Sequence, residues 1–457
     1  MFQSANNILK NPRRTLTLFA VAYFLLFSTI CFLKYVSFSY GYDLTAFNQV
    51  VWATSHGNLF YSSLYKNNTF LSEHFSPILL LFAFPYKLIP HPLTLLALQT
   101  LALTLGVFPL YRIAEAELGV KAALVFSLSY LLYPPLHYLN LAEFHTEIFA
   151  APLLLYAFYH LRIGSFSRYI LFILLAMSCK ENIPLVTLMF SFYALYRRMT
   201  PKWWVSTFVL SVLWFYLATQ VVIPHYLGAS YKFYNRYSTL GDSPTRMAST
   251  LAGSPFKVLG FALMPEKILY LLILLSPLAF LSLASPVILL GLPIFAQNLL
   301  ADYRWQYAIY TQYHAALVPF LFLSAVYGVK RLSRFIKMKH LLVALLAATL
   351  VSNLIILSVR APPFSLEARD AIAWDMVSLI PSDASVSADH RLTPALSGRY
   401  HLHLFNRGGV PSGTEYLIID YRNAEWPAVN YRESADSYIS SWNIIRNESG
   451  FLLLQNA

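Results

Sequence analysis

Ser76 to Pro90, SPILLLFAFPYKLIP, is the stretch on which the topology turns. It is apolar, but at about 15 residues, interrupted by Pro85 and Lys87, it is short for a membrane-spanning helix, which needs roughly 20. Taken as an interfacial helix on the outer face, it leaves the basic gaps of the chain in the cytoplasm: Lys10, Arg13 and Arg14; Arg112 and Lys121; Arg162 and Arg168; Arg197, Arg198 and Lys202; Lys330, Arg331, Arg334, Lys337 and Lys339. Taken as a span, it would turn every cluster after residue 90 outward, against the positive-inside rule.

The rest of the sequence supplies the spans that this choice orients. Of 457 residues, 57% are hydrophobic, 16% aromatic and 12% charged, against a charged share of about 25% in soluble domains. The net charge of +12 sits in short gaps between apolar runs, a pattern of membrane topology that excludes nucleic acid as the partner. Cys31 lies inside one apolar run and Cys179 at the edge of another, and two cysteines exclude a disulfide framework. Leu16 to Phe38 is long enough to span, has no small-residue cleavage site after it, and reads as a permanent first helix with the N-terminus in the cytoplasm. Further spans are expected at Pro92–Tyr111, Ala122–Tyr138, Ile148–Leu161, Phe166–Ser178, Ile183–Tyr196, Trp203–Ile223, Lys267–Leu283, Pro286–Leu300, Ala315–Val329 and Leu341–Val359. The expectation is a mainly α, multi-pass bundle of about eleven helices in the cell membrane.

This orientation collects the unusual polar strings on the outer side. The first outer loop opens with Gly41-Tyr42-Asp43, then sets Leu44, Phe47, Val50 and Val51 against Thr45, Asn48, Gln49 and His56. That spacing predicts an amphipathic helix in the interface, ended by Gly57. The loop closes on Glu73-His74-Phe75-Ser76-Pro77, where Ser76 and Pro77 suit the N-cap and first residue of the second interfacial helix. The second loop, Asn140 to Glu147, places Glu143, His145 and Glu147 at alternate positions, on one face if the segment is extended. The third is Cys179-Lys180-Glu181-Asn182, and the fourth interleaves Tyr231, Lys232, Tyr234, Arg236 and Tyr237 before Leu240-Gly241-Asp242. Asn67-Asn68-Thr69 and Asn447-Glu448-Ser449, both outside, match glycosylation acceptors.

At these residues the chain resembles the GT-C superfamily of membrane glycosyltransferases, and more closely a family of predicted prokaryotic membrane proteins classed as a domain of unknown function. Tyr42-Asp43-Leu44, Glu73-His74-Phe75-Ser76-Pro77, Phe144-His145-x-Glu147 and Cys179-Lys180-Glu181 carry the closer resemblance. It implies transfer of a sugar from a polyprenyl-phosphate carrier in the membrane to an acceptor glycan, lipid or protein on the outer face, with inversion. Asp43 matches the superfamily's loop-one acid, a general base or cation ligand. Many members carry two adjacent acids there, whereas Leu44 follows Asp43 in this chain.

The chemistry fits the residue types. An attacking hydroxyl must lose a proton, which a placed carboxylate accepts, and a leaving phosphate needs cationic donors. Catalytic candidates are Asp43, Glu143, His145 and Glu147; substrate-binding candidates are Glu73, His74, Lys180, Glu181, Lys232 and Arg236. Asp43, Glu143, His145 and Glu147 are also the candidate ligands of a divalent cation, Mn²⁺ or Mg²⁺ ahead of Zn²⁺. Simpler roles stand beside these: Asp43 as a helix cap, Lys180 and Glu181 as a mutual pair, and the Tyr-rich loop as an aromatic belt.

Past Val359, charged and polar residues return, so residues 1–359 read as the membrane domain and 360–457 as an extracytoplasmic α/β domain. Leu366–Leu379 has helical periodicity; Ala384–Ala388, His401–Phe405 and Tyr416–Asp420 read as strands, and Tyr438–Leu454 as a hairpin turning at Asn447–Gly450. Arg407-Gly408-Gly409 is too short to be a nucleotide fingerprint. A transporter, or a non-catalytic relative that binds glycans or assists envelope assembly, are the alternative functions. The few charges within the spans count against the first of these.

Overall fold

The computed structural model describes residues 11–241, 243–359, 364–405, 409–422 and 438–456; Lys10, Asp242, Arg407 and Gly408, named above, lie outside them. The chain is mainly helical with one small sheet near its C-terminus. It forms two compact units, one of residues 1–27, 99–142 and 146–361, the other of residues 28–98, 143–145 and 362–457. The tail, set apart in the sequence reading, thus shares a unit with the first loop.

The hydrogen bonds of the second unit explain that sharing. Helix Pro12–Val36 is followed, after the turn 37–41, by helix Tyr42–Ser55. The expected amphipathic helix is instead buried around most of its girth, Leu44 through Val51 without a gap. Its polar stripe faces the tail: Thr45 Oγ1 bonds Thr393 Oγ1 at 2.8 Å, Asn48 Nδ2 donates to Ser397 Oγ at 2.8 Å, and Gln49 Nε2 donates to the Arg399 carbonyl at 2.8 Å. Side chains that look solvent-facing in the sequence are therefore internal, paired with partners as buried polar groups require.

The topology-deciding stretch forms helix Leu79–Leu88, packed against Tyr42–Ser55. Ten residues extend about 15 Å, half of a hydrocarbon core of about 30 Å. It starts later than Ser76 and Pro77 suggest: those residues form a turn, closed by the Leu79 N–H on the Ser76 carbonyl at 3.1 Å.

The tail comprises helix Ala368–Ser378 and strands β1 (Val386–Ala388), β2 (Leu402–Leu404), β3 (Tyr416–Asp420), β4 (Asn443–Glu448) and β5 (Phe451–Gln455), close to the expected positions. The order is β2-β1-β3-β5-β4, with β1 parallel to both neighbours and β5 antiparallel to both of its own. Each residue of β3 is buried, the mark of a strand covered on both faces. Ala373, Met376, Val386, Ile418 and Leu453 pack on one side together with Phe38 from the turn after the first helix.

The carbonyls that this first helix leaves open at its end are taken up by the tail. Trp374 Nε1 donates to the Val36 carbonyl at 2.9 Å, and Arg391 donates to those of Ser37 and Phe38 at 3.2 Å each. Arg391 is itself held by buried Asp420 at 3.1 Å.

Five helices among the described residues are long and apolar enough to cross a membrane: Pro12–Val36, Pro92–Leu118, Pro201–Leu227, Gln312–Leu332 and Met338–Ile355. Pro255–Ala262 and Pro265–Leu278 make a sixth if counted as one span bent by 61°. Val120–Leu131, Phe166–Met177, Ile183–Tyr196 and Pro286–Leu300 are apolar but shorter. Proline accounts for two of the differences from the expected spans. Ala122–Tyr138 breaks before Pro134-Pro135, and Lys267–Leu283 leaves the α-helix after Leu275, just before Pro277, since a proline cannot donate into the helix behind it.

Broken helices in an apolar setting need substitute donors for their carbonyls. Hydroxyls provide them. Tyr133 reaches the Leu274 carbonyl at 2.6 Å, Thr349 that of Pro277 at 2.8 Å, and Ser324 those of Ser282 and Ser285 at 2.7 and 2.9 Å. Elsewhere in the first unit Glu117 gathers Arg162 at 2.6 Å and Lys330 at 2.5 Å, so three of the loops read as cytoplasmic close on a single carboxylate.

Close backbone approach makes this packing testable. A Cβ added at Gly328 would lie 2.2 Å from the Leu281 carbonyl oxygen. Gly328→Ala is expected to cost about 1–3 kcal/mol, read as a lowered Tm of the purified protein in detergent; an unchanged Tm would rule out the contact.

Candidate functional site

The first turn of a helix presents N–H groups that no earlier carbonyl of the helix accepts. For helix Tyr42–Ser55 the acceptor is Glu143, whose Oε1 takes the Gly41 N–H at 2.9 Å and whose Oε2 takes the Leu44 N–H at 2.7 Å. Capping, the simpler role open to Asp43, is thus performed by a carboxylate from a distant loop. Asp43 lies one residue inside the helix, with 47% of its side chain exposed and Oδ2 3.5 Å from Nε2 of buried His145. The imidazole stands edge-on to Phe47, ring centres 5.7 Å apart. Burial raises the Glu143 carboxyl above its ordinary range, against the Leu44 amide and the Lys34 charge, which favour the ionised form.

Glu73 ends the short turn Phe70–Ser72, and the ring of His74 lies 5.9 Å from that of Phe70. The charges of Glu73 and Asp43 act on the hydroxyls of Tyr42 and Tyr65, which burial first, and these carboxylates in addition, push above their ordinary range. The second unit therefore brings together Asp43, Glu73, Glu143 and His145 with two tyrosines that the sequence reading left without a role. Tyr42 belongs to the motif Tyr42-Asp43-Leu44, whereas nothing in the sequence around Tyr65 marks it.

The first unit holds the other candidates. Glu147, in the turn Thr146–Phe149, pairs with Lys180, and both are buried. The Lys180 ammonium lies 5.6 Å above the Tyr313 ring. Burial alone would lower its pKa, but Glu147, Glu181 and Tyr313 together hold it above the ordinary value. Buried Glu181 accepts the Tyr231 hydroxyl at 3.2 Å. Arg236 donates to Gln306 Oε1 at 3.0 Å and to the Tyr313 hydroxyl at 3.2 Å, its guanidinium stacked 4.5 Å from Phe233 and 4.7 Å from Tyr303. Lys232 is exposed, 5.5 Å from the Phe233 ring. Gln306 and Tyr313 belong to a loop after the Pro286–Leu300 helix that the sequence reading passed over, although Asp302-Tyr303-Arg304-Trp305-Gln306-Tyr307 is a conspicuous polar and aromatic string.

The alternating residues of the second loop do not share one task. Glu143 faces backbone amides, His145 faces Asp43, and Glu147 faces an ammonium. Among the described residues no three His, Cys, Asp or Glu side chains are grouped to hold a metal ion. Of the four candidate ligands, Asp43, Glu143 and His145 lie in the second unit and Glu147 in the first.

Family comparison covers almost all of these residues. The family model described as "Predicted membrane protein (DUF2079)" matches residues 34–453. The chain belongs to this family. No curated protein matches it significantly. Among solved structures it is similar to ArnT from Cupriavidus metallidurans bound to undecaprenyl phosphate, with TM-score 0.57 and 12% identity over 96% of this chain and 98% of that one. The apo state of the same protein gives 0.56 and 13% over the same shares. The archaeal oligosaccharyltransferase AglB from Archaeoglobus fulgidus, in complex with an inhibitory peptide and a dolichol-phosphate, gives 0.49 and 11% over 96% and 74%. The DUF2079 chain thus shares the fold of ArnT.

The buried pair of the first unit can be tested by a double-mutant cycle. Lys180→Met leaves Glu147 charged without its counter-ion and is expected to cost about 3–5 kcal/mol, read from thermal unfolding in detergent. Adding Glu147→Gln should restore more than half of that loss; strictly additive losses would show that the two side chains do not act as a pair.

Proposed function

We propose that the protein is a glycosyltransferase that moves a sugar from a polyprenyl-phosphate carrier to an acceptor on the outer face of the membrane, with inversion. The observation that carries this reading is Asp43: a half-exposed carboxylate on the first turn of a buried helix, with its other side toward His145, in a chain of this fold. Binding of undecaprenyl phosphate by ArnT supports a lipid-phosphate donor.

In the proposed reaction an acceptor hydroxyl oxygen attacks the anomeric carbon from the face opposite the phosphate. The bond from that carbon to the phosphate oxygen breaks, and its electron pair leaves with the phosphate. The hydroxyl proton passes to Asp43, and His145 keeps the carboxylate oriented.

The test is transfer by purified protein in nanodiscs against a panel of polyprenyl-phosphate sugars, with and without divalent cation. Asp43→Asn is expected to lower the rate by about 10²–10⁴-fold, the range of a lost general base, with a Tm close to wild type because the side chain is half-exposed. Full activity in that variant would end the role of Asp43 as base.

A further inference from the structure

We propose that Glu143 is a positioning residue, a remote cap that sets the first turn of helix Tyr42–Ser55 so that Asp43 meets its partner, and that it is neither a base nor a metal ligand. This rests on the proposed reaction for the role of Asp43 but not for the capping itself. Two observations converge. The two Glu143 oxygens hold the amides of Gly41 and Leu44 at 2.9 and 2.7 Å, which bracket Asp43 in the chain. His145, two residues beyond Glu143, holds the Asp43 carboxylate at 3.5 Å. The tripeptide 143–145 therefore fixes the same residue twice, by its backbone through Glu143 and by its side chain through His145.

Gly41 has no room for a side chain. A Cβ there would fall 2.1 Å from the His390 ring, so the tail closes the other side of this turn. A carboxylate at a helix N-terminus also meets the positive end of the helix dipole, which explains why an anion and not an amide occupies the place. With each oxygen directed at an amide, Glu143 is ill-disposed to take a proton from substrate or to join a cation.

The experiment uses the full-length protein in nanodiscs and reads two quantities. Amide hydrogen exchange over residues 41–44 is expected to accelerate at least tenfold in Glu143→Ala while residues 48–54 stay protected. Unchanged exchange at 41–44 would overturn the capping, whether or not the protein transfers sugar. In the transfer assay, Glu143→Ala is expected to lower kcat about 50-fold with KM for the lipid donor within twofold. Glu143→Gln, which keeps one oxygen acceptor, should recover to within about fivefold of wild type. A Glu143→Gln variant as inactive as Glu143→Ala, or an activity restored by raising the divalent-cation concentration, would identify a base or a ligand and overturn the proposal. Absence of transfer in the wild type would fell the functional reading alone, because the exchange measurement stands without it.

Discussion

Two helix ends meet at the turn 37–41, and neither satisfies its own backbone. The carbonyls of Val36, Ser37 and Phe38 are taken by Trp374 and Arg391, and the amides of Gly41 and Leu44 by Glu143. A buried polar group left without a partner costs about 1–3 kcal/mol, so five such groups at one turn are a stronger constraint than any single apolar contact nearby. The geometry of Asp43 follows from it. So does the grouping of the tail with residues 28–98, since the donors that close the first helix lie in the tail.

The same requirement, met by different chemistry, shapes the first unit. Prolines interrupt its apolar helices, and hydroxyls of Tyr133, Ser324 and Thr349 pair with carbonyls around the break. This lets irregular backbone persist inside an apolar bundle, where exposure to lipid would forbid it. Glycine at position 328 completes the arrangement by letting one helix lie against the irregular stretch.

Features with a local cause were legible in the sequence. Strands β1, β2, β3 and β5 fall inside or within two residues of the apolar runs that predict them, and the hairpin turns at Ser449-Gly450, within the expected Asn447–Gly450. The shortness of the Ser76–Pro90 element could be read from its length and its proline. Features whose cause is remote were not legible. Nothing in Thr45, Asn48 and Gln49 announces that their polar face is covered by Thr393, Ser397 and Arg399, hundreds of positions later. The alternation of Glu143, His145 and Glu147 suggested one shared centre, because spacing reports direction but not destination. Each side chain instead answers to a different partner, a helix start, a carboxylate and an ammonium. Asp43 was singled out by its place in a motif, yet what separates its role from simple capping is the competing acid 100 positions downstream in Glu143.

The polar stripe of helix Tyr42–Ser55 has a consequence for biogenesis. Gln49 donates to the carbonyl of a residue 350 positions further along the chain, so during synthesis this stripe is made long before its partners exist. Until the C-terminal segment has been made and has docked, those amides and hydroxyls lack their final partners, and the helix cannot settle into its final surroundings. Maturation of the first loop is thereby tied to completion of the last residues, and a nascent chain stalled before Thr393 would carry a helix whose polar stripe is made but not yet covered.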